Sequence, residues 1–256
     1  MNNFNQLGMG SERYCAPLCR SYLLAMFDDL CVYAYEAGAA RHWRFRWAIG
    51  VLADGQHEVL GMWHDSASDA VNRQEASDDL VRRGVERIRV IAGIEPNAEL
   101  RVRRAYPSSK SLTSIGQFLR KVEADLTERD LGEVSDFAAK LYAAGTLHRA
   151  RELVANFAAG PVGVRYPAAR DRWSCDVEQL GPIHNLSPGL RRRLRVTDST
   201  AQQVNRNLRR ATARHGCFPS LSVATSFIEQ TLVRTERKLG VFEAAHTARR
   251  AHRGHE

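Results

Sequence analysis

The sequence has few of the features that mark membrane-spanning, secreted or metal-binding proteins. No apolar run approaches the roughly 20 residues that cross a bilayer. The polar opening from Met1 to Ser11 lacks the basic and then apolar order of a secretory signal. Among five scattered cysteines, only Cys15 and Cys19 are spaced to share a helix face, whereas a zinc site needs about four ligands in paired spacings. These absences predict a cytoplasmic protein that has free thiols and no membrane contact.

Several catalytic and binding motifs are also missing. The sequence has no Gly-rich phosphate loop, no Ser-His-Asp arrangement in a nucleophile-elbow context and no RNA-recognition aromatic motif. Its isolated histidines, which favour surface or structural roles over metal ligation, are His42, His57, His64 and His148. Function must therefore be inferred from the charge distribution and from the order of the predicted elements.

Positive charge is concentrated in the last quarter of the chain. The whole sequence has 37 Lys and Arg against 29 Asp and Glu, a formal net charge of +8. From Gly189 to Glu256, 13 Arg and 1 Lys stand against 5 acids, so this segment carries +9 and the preceding residues carry −1. Codon bias in a GC-rich genome explains a preference for Arg over Lys, but it does not explain this segregation. A concentrated basic surface favours binding to a phosphate backbone.

The first third of the chain predicts a three-stranded antiparallel meander. The aromatic and apolar stretch from Tyr22 to Tyr35 is typical of a buried strand, interrupted only by the Asp28-Asp29 pair. A second strand is predicted from Trp43 to Val51 and a third from His57 to Trp63. Between them, Asp54-Gly55 is a strong hairpin signal.

The next segment predicts a helix, a strand and a second helix. The pattern is helical from Asp69 to Arg83 and ends at Gly84, a residue suited to the turn after a helix. A short strand is predicted from Ile88 to Ala92, followed by a helix from Ala98 to Ala105. Three strands, a helix and a strand, with an acid inside the first strand, form the opening order of an α/β, RNase H-like domain.

The middle of the chain predicts an all-helical insertion. The pattern from Ser114 to Gly160 is almost entirely helical, and Tyr166-Pro167 and Gly181-Pro182 bracket an irregular stretch that contains Trp173. We expect a mixed sheet with flanking helices that this insertion interrupts. The predicted parts are a leader (1–21), the first part of the core (22–110), the helical insertion (111–188), C-terminal helices that complete the core (189–245) and a disordered tail (246–256).

A strongly amphipathic helix is predicted after Thr197-Asp198-Ser199-Thr200, which can supply its N-cap. Its apolar face, at 100° per residue, is formed by Val204, Leu208 and Ala211. Its opposite face is formed by Gln202, Arg206 and Arg209, with Asn205 beside them. Such a helix buries one side and offers amides and guanidiniums outward, either to solvent or to a partner.

Four ordered blocks together resemble the bacterial Mutator-family transposases, which have a DDE-type, RNase H-like catalytic domain. MFDDLCVYAY leading into AIGVLADGQHEVLGMW is similar to the family's first catalytic strand and hairpin. DLVRRGVERIRVIAG running to AYP is similar to the unit around the second acid. The insertion places Tyr166-Pro167, Trp173 and Pro188 in family-like order, and TDSTAQQVNRNLRRATARHGCFPS resembles the block of the third acid. The resemblance covers roughly Tyr22 to Leu232.

The resemblance implies DNA transposition and recombination through metal-dependent strand cleavage and transfer. The family holds Mg²⁺ or Mn²⁺ with three carboxylates. Asp28 falls on the first acid, but Gly93 and Gln202 fall on the second and third, at family-like separations of 65 and 109 residues. We therefore expect a catalytically impaired protein in which only Asp28 remains to hold a metal, and weakly.

Neighbouring acids offer limited rescue of that centre. Asp29 points to the opposite strand face, Glu95 lies two residues past the second position, and an N-cap role explains Asp198. Thr113 and Gly116 take the positions of the family's Cys-x-x-His pair. The DNA contacts that the resemblance implies are Asn205, Arg206, Arg209 and Arg210.

Only 27 residues precede Asp28, so we expect the family's N-terminal helical DNA-binding region to be absent. Three interpretations remain open. The chain is a transposase that cleaves and transfers DNA, a non-catalytic DNA-binding regulator that pairs with itself or with an intact transposase, or a decayed remnant. Should the resemblance mislead, a basic α/β protein that binds RNA or regulates another protein is the remaining alternative.

Overall fold

A computed structural model describes residues 16–66, 75–93, 104–120 and 127–239. Over these residues the chain is a mixed α/β protein. The strands are β1 (Ser21–Glu36), β2 (Ala39–Val51), β3 (His57–Ser66), β4 (Arg87–Ala92), β5 (Lys110–Leu112) and β6 (Cys217–Phe218). The helices are α1 (Glu75–Arg82), α2 (Ile115–Arg120), α3 (Glu128–Ala143), α4 (Leu147–Ala159), α5 (Pro161–Arg165), α6 (Pro167–Asp176), α7 (Gly181–His184), α8 (Pro188–Ala213) and α9 (Leu221–Leu239), with a 3₁₀ turn at Val177–Leu180.

The predicted meander is confirmed in strands β1, β2 and β3. β1 and β2 pair from Leu24 opposite Val51 to Glu36 opposite Ala39, and β2 pairs antiparallel with β3. The β1–β2 connection is tight because Ala37 and Gly38 both adopt positive φ angles, as a type I′ hairpin turn requires. The β2–β3 connection is the predicted Asp54-Gly55 turn, in which the Asp54 carboxylate accepts a backbone N–H two residues later.

The strand order is β3-β2-β1-β4-β5, and β6 pairs in parallel with β1 outside that path. Helix α1 packs against β3 and α9 packs against β1. The apolar sides of these helices are buried: Leu80 of α1 and Ile228 of α9 are both inaccessible to solvent. The six-stranded mixed sheet with flanking helices confirms the predicted RNase H-like α/β fold class.

Two of the predicted helices are only partly described. α1 ends before Gly84, whose φ of +94° matches its predicted place in the turn after a helix. The first residues of that prediction, 69–74, lie outside the described residues. So do residues 98–103 of the next predicted helix, although 104 and 105 are helical, and so does the predicted tail from 246 to 256.

The chain divides into two compact units. The sheet unit contains residues 16–66, 75–91, 104–109 and 201–239 of the described chain, and the helical unit contains 92–93, 110–120 and 127–200. An aromatic cluster forms the core of the helical unit. Phe137 stacks on Phe157 with ring centroids 4.0 Å apart, and both contact Trp173, which is fully buried.

Two expectations for the region from Tyr166 to Thr200 are wrong. The stretch around Trp173 is helical, because Pro167 and Pro182 stand at the starts of α6 and α7, where a missing N–H costs nothing. α8 begins at Pro188, so residues 197–200 lie inside the helix and do not cap it. Among the helices that the structure describes, none combines the length and the apolar character needed to span a bilayer.

Candidate functional site

Asp28, the position of the family's first acid, lies in the middle of β1 and is 8% exposed. It pairs in the sheet with Trp47, whose side chain is fully buried. Its Oδ1 atom accepts the backbone N–H of Asp29 at 2.8 Å. A carboxylate this deeply buried is costly when charged unless hydrogen bonds or a cation satisfy it, so binding a metal here requires further ligands nearby.

Asp29, the next residue, is engaged elsewhere. It faces Arg46 across the β1–β2 pair, and Arg46 Nε lies 3.2 Å from Asp29 Oδ1. Strand alternation places it on the sheet face opposite Asp28. This agrees with the predicted orientation and leaves Asp29 unsuited to complete a centre around Asp28.

Gly93, the position of the second acid, follows directly after β4. Its φ is +90°, in the left-handed region that glycine adopts without strain. An aspartate at this position would be strained by the backbone conformation. The local backbone is therefore suited to the glycine that is present. Glu95, the neighbouring candidate for rescue, lies outside the described residues.

Gln202, the position of the third acid, is half-buried in the C-terminal half of α8 (201–213). One turn later, Asn205 is only 3% exposed, and its Nδ2 atom lies 3.5 Å from the backbone carbonyl of Asp29. Within the sheet unit, this contact brings α8 beside the strand that carries Asp28. The expectation that Asn205 lies on the outward face is wrong, because its amide packs against β1.

The arginines on this half of α8 face outward. Arg206, Arg209 and Arg210 are exposed. Arg209 Nε donates to Asn205 Oδ1 at 3.2 Å, so the contact of Asn205 with β1 also orients this guanidinium. Among the described residues, no carboxylate lies within ion-pair distance of any of the three arginines. The C-terminal half of α8 therefore presents three cationic groups to a partner.

Asp198 belongs to a buried network in the helical unit and is 1% exposed. Its carboxylate accepts hydrogen bonds from Ser114 Oγ at 2.9 Å, Gly116 N at 2.6 Å and Tyr142 Oη at 2.7 Å. The predicted N-cap role is therefore wrong. The carboxylate instead ties α2 and α3 to α8, an arrangement that has no local signal in the sequence because Ser114 and Tyr142 are distant along the chain.

Gly116 has a structural part in this network, and Thr113 lies just before α2. These are the positions where the resemblance places a Cys-x-x-His pair in relatives. Within the described ranges, no group of three or more His, Cys, Asp and Glu side chains is arranged to hold a metal ion. Together, one carboxylate at Asp28, an amide at Gln202 and a glycine at 93 do not fit a two-metal centre, which needs oxygen ligands from several carboxylates.

Two aromatic residues were missed as surface groups because β1 looks uniformly buried in the sequence. Tyr33 is 56% exposed and Tyr35 is 48% exposed, whereas Val32, just before Tyr33, and Ala34, between the two tyrosines, are buried. The signal was present in the two-residue period of a strand, which separates these side chains onto opposite faces.

Comparison with known proteins identifies the family. The sequence profile described as "Transposase, Mutator family" matches residues 12–238. The "Transposase for insertion sequence element ISRM3" of Rhizobium meliloti (strain 1021) is 27% identical over 214 residues, which are 83% of this chain and 53% of that protein. A "Probable transposase for insertion sequence element" of Corynebacterium diphtheriae is 28% identical over 208 residues, which are 80% of this chain and 59% of that protein.

The chain spans about half the length of the curated relatives it matches. The family profile nevertheless covers most of the chain, from residue 12 to residue 238 of 256. This chain belongs to the Mutator family of transposases.

Proposed function

We propose that this protein binds DNA through the C-terminal half of α8 and that its DNA strand cleavage and transfer are impaired. The observation that carries the binding proposal is the exposure of Arg206, Arg209 and Arg210 without a carboxylate partner in the described chain. Guanidinium groups form charge-assisted, bidentate hydrogen bonds with phosphate oxygens, so three on one helix face suit the backbone of a DNA duplex.

Asn205 acts as a positioning residue in this proposal and does not itself contact DNA. It is buried against the Asp29 carbonyl and accepts a hydrogen bond from Arg209 Nε. The helix is therefore anchored to β1 at the same place where one guanidinium is oriented. Contacts of this kind position a protein on the duplex but carry little sequence information.

Impairment of the chemistry is supported by the donor set at the three family positions. Two relatives are named as insertion-sequence transposases, and the family resemblance implies cleavage and transfer of DNA strands with Mg²⁺ or Mn²⁺. Here Asp28 is the single carboxylate at those positions, and Gly93 has a backbone conformation that disfavours an aspartate. The second candidate function is a non-catalytic DNA-binding regulator, alone or paired with an intact transposase, and the same donor set favours it.

The binding proposal is tested by the salt dependence of affinity for a labelled 30-base-pair duplex. Replacing Arg206, Arg209 and Arg210 together by Ala removes three phosphate contacts, so the slope of log affinity against log salt should fall by about 2 to 3. The matched control replaces Arg149 and Arg151, which are exposed, and Arg170, which is half-buried, and each of these arginines is ion-paired with a carboxylate. Both triple variants lose the same formal charge.

An unchanged slope in the control and a reduced slope in the α8 variant support the proposal. Equal reductions in both variants contradict it, because they would reflect net charge alone. Failure of the unmodified protein to bind the duplex at low salt also contradicts it and favours the decayed-remnant interpretation. A circular dichroism spectrum of each variant separates loss of contact from loss of fold.

A further inference from the structure

The hairpin end of β1 and β2 carries an exposed aromatic face. Cys31, Tyr33 and Tyr35 alternate along β1 with buried residues and are all exposed. Tyr33 and Tyr35 are 56% and 48% exposed, which is unusual for rings in a strand whose neighbouring side chains are buried. Because alternate residues share a face, both tyrosine rings stand on the same side of the sheet.

Strand β2 adds a third ring to this face. His42 pairs with Tyr33 in the register, and the two ring centroids are 5.1 Å apart with planes inclined by 50°. On the other side of β1, Cys217 of β6 pairs with Tyr33, so a strand flanks this ring on each side. We call Tyr33, Tyr35 and His42 the aromatic face.

The aromatic face is held firmly from behind. On the opposite side of the same strands, Ala34 and Val32 of β1 and Trp43 of β2 are all buried. Ala34 also pairs with the fully buried Phe218 of β6. The tyrosine rings therefore project from a strand that is held by β2, by β6 and by the buried residues on its opposite face. Because this backbone is already ordered, less entropy is lost when a flat partner stacks on the rings.

The aromatic face lies near the arginines of α8 within the sheet unit. Asn205 contacts β1 at the Asp29 carbonyl, and Arg209 is bonded to Asn205. Tyr33 is four residues farther along β1, or about 13 Å at 3.3 Å per residue. A few nucleotides span that distance at 3.4 Å or more each.

We propose that the aromatic face stacks unpaired bases of a DNA strand whose duplex portion is bound by the arginines of α8. The inference rests on the proposed DNA binding and adds the kind of DNA: a duplex with a single-stranded end. Single-strand binding surfaces combine cationic groups for the backbone with aromatic rings on which successive bases stack. Tyr33, Tyr35 and His42 supply the rings, and α8 supplies the cations.

A second copy of the chain fits this surface less well. Large exposed apolar side chains in the described chain are few and scattered, and only two of them, Tyr33 and Tyr35, belong to this face. A stable interface buries about 800 Å² on each partner, whereas an aromatic side chain contributes roughly 150–250 Å². The available area suits one or two flat bases.

The test compares two DNA probes, a blunt duplex and the same duplex with a three-nucleotide 3′ overhang. The unmodified protein should bind the overhang probe about ten-fold more tightly, the effect expected of a base stacked on an aromatic side chain. In a Tyr33→Ala/Tyr35→Ala variant this preference should vanish while blunt-duplex affinity stays unchanged. In a Tyr33→Phe/Tyr35→Phe variant it should persist, because stacking does not need the hydroxyl groups.

A second readout measures base stacking directly. A 2-aminopurine base in the overhang should lose fluorescence on binding to the unmodified protein, because stacking on an aromatic ring quenches it. A Val223→Ala variant, which alters a different exposed apolar side chain, is the matched control and should keep the preference and the quenching.

Three outcomes overturn the inference and leave the proposed DNA binding in place. Equal affinity of the unmodified protein for the blunt duplex and the overhang probe removes the stacking role. Equal preference in the Tyr→Ala variant assigns the effect to another surface. A concentration-dependent dimer that is lost in the Tyr→Ala variant assigns the aromatic face to a second copy. Failure of both probes to bind overturns the proposed DNA binding itself.

Discussion

The arginines of helices α4 to α6 and those of the C-terminal half of α8 are used in different ways. In the helical unit, Arg149 pairs with Glu152, Arg151 with Glu178, Arg165 with Asp130 and Arg170 with Asp171. On α8, the exposed Arg206, Arg209 and Arg210 have no carboxylate partner in the described chain. Composition alone gives no hint of this difference, since both regions are rich in arginine.

The difference indicates which positive charges are available to a partner. An arginine already paired with a carboxylate must lose that pair to bind a phosphate, whereas an exposed, unpaired guanidinium only exchanges water and counter-ions. A codon bias toward arginine would raise the arginine content of both regions, but it would not decide which arginines have acidic neighbours. The α8 arginines are thus the better candidates for a nucleic-acid interface, and those of α4 to α6 for structural roles.

The largest expected effect is on the stability of the helical unit. Replacing the fully buried Trp173 by Ala opens a cavity against Phe137 and Phe157, at a cost of about 3–5 kcal/mol in the free energy of unfolding. Urea denaturation measures the loss, and Val164→Ala, at a site 67% exposed, is the control. If the helical unit has a structural role and does not contact DNA, the Trp173→Ala variant should bind a blunt DNA duplex as tightly as the unmodified protein does, at urea concentrations below the unfolding transition. A loss of affinity in a folded Trp173→Ala protein would contradict that role.

A smaller loss of stability is expected when the Asp198 carboxylate is removed. Asp198→Ala leaves the buried hydroxyl groups of Ser114 and Tyr142 without their acceptor, which should cost roughly 2–3 kcal/mol. Ser199→Ala, next to it on the exposed side of α8, should change the unfolding free energy by less than about 0.5 kcal/mol. Equal effects of the two substitutions, measured by urea denaturation, would show that the network does not stabilise the unit.

The ion pair of Asp130 should make stability depend on pH in the acid range. Hydrogen bonds from Thr127, Arg165 and Tyr166 lower the pKa of Asp130 from 3.8 to about 2. Because the folded-state pKa is depressed, the stabilising contribution is fully present above the unfolded value and is lost as pH falls through about 2. Asp130→Asn should therefore be less stable than the unmodified protein at pH 7, and the gap should narrow between pH 4 and pH 2. Thermal unfolding of both proteins at a series of pH values measures this difference in stability. A difference that stays constant between pH 4 and pH 2 would refute the assignment of the pH dependence to Asp130.

The smallest effects should separate the two groups of arginines most clearly. Arg151→Ala breaks a bidentate surface pair with Glu178 and should slightly lower the urea midpoint while leaving DNA affinity unchanged. Arg206→Ala should leave the urea midpoint unchanged and reduce the salt slope of DNA binding by about 0.9. The same result for both substitutions would remove the distinction between paired and unpaired arginines.

The sequence predicted the sheet better than the surface of the helices. Alternating apolar residues, Asp54-Gly55 and Gly84 fix local conformations, so the meander and the first helix boundary were predictable from neighbouring residues. The burial of Asn205 was not, because it depends on contact with Asp29, far away along the chain. Asp198 was misassigned for the same reason.

Of the positions that match the family's catalytic acids, Asp28 was predictable from the sequence and the backbone conformation of Gly93 was not. The resemblance placed Asp28 on the first strand, and the structure shows that strand and the burial of the acid. The positive φ of Gly93 has no signature in the sequence beyond the glycine itself. It gives a physical reason to expect that restoring an aspartate there, together with Gln202→Glu, would strain the backbone as well as add a ligand.

Binding of DNA without cleavage is tested most directly by incubating the purified protein with supercoiled plasmid and Mn²⁺ at low salt. The plasmid should be retarded in a gel, and after the protein is removed it should still be supercoiled. Conversion to nicked circles by the unmodified protein, abolished by Asp28→Asn, would contradict the proposed impairment and show that ligands other than residues 93 and 202 complete a working centre.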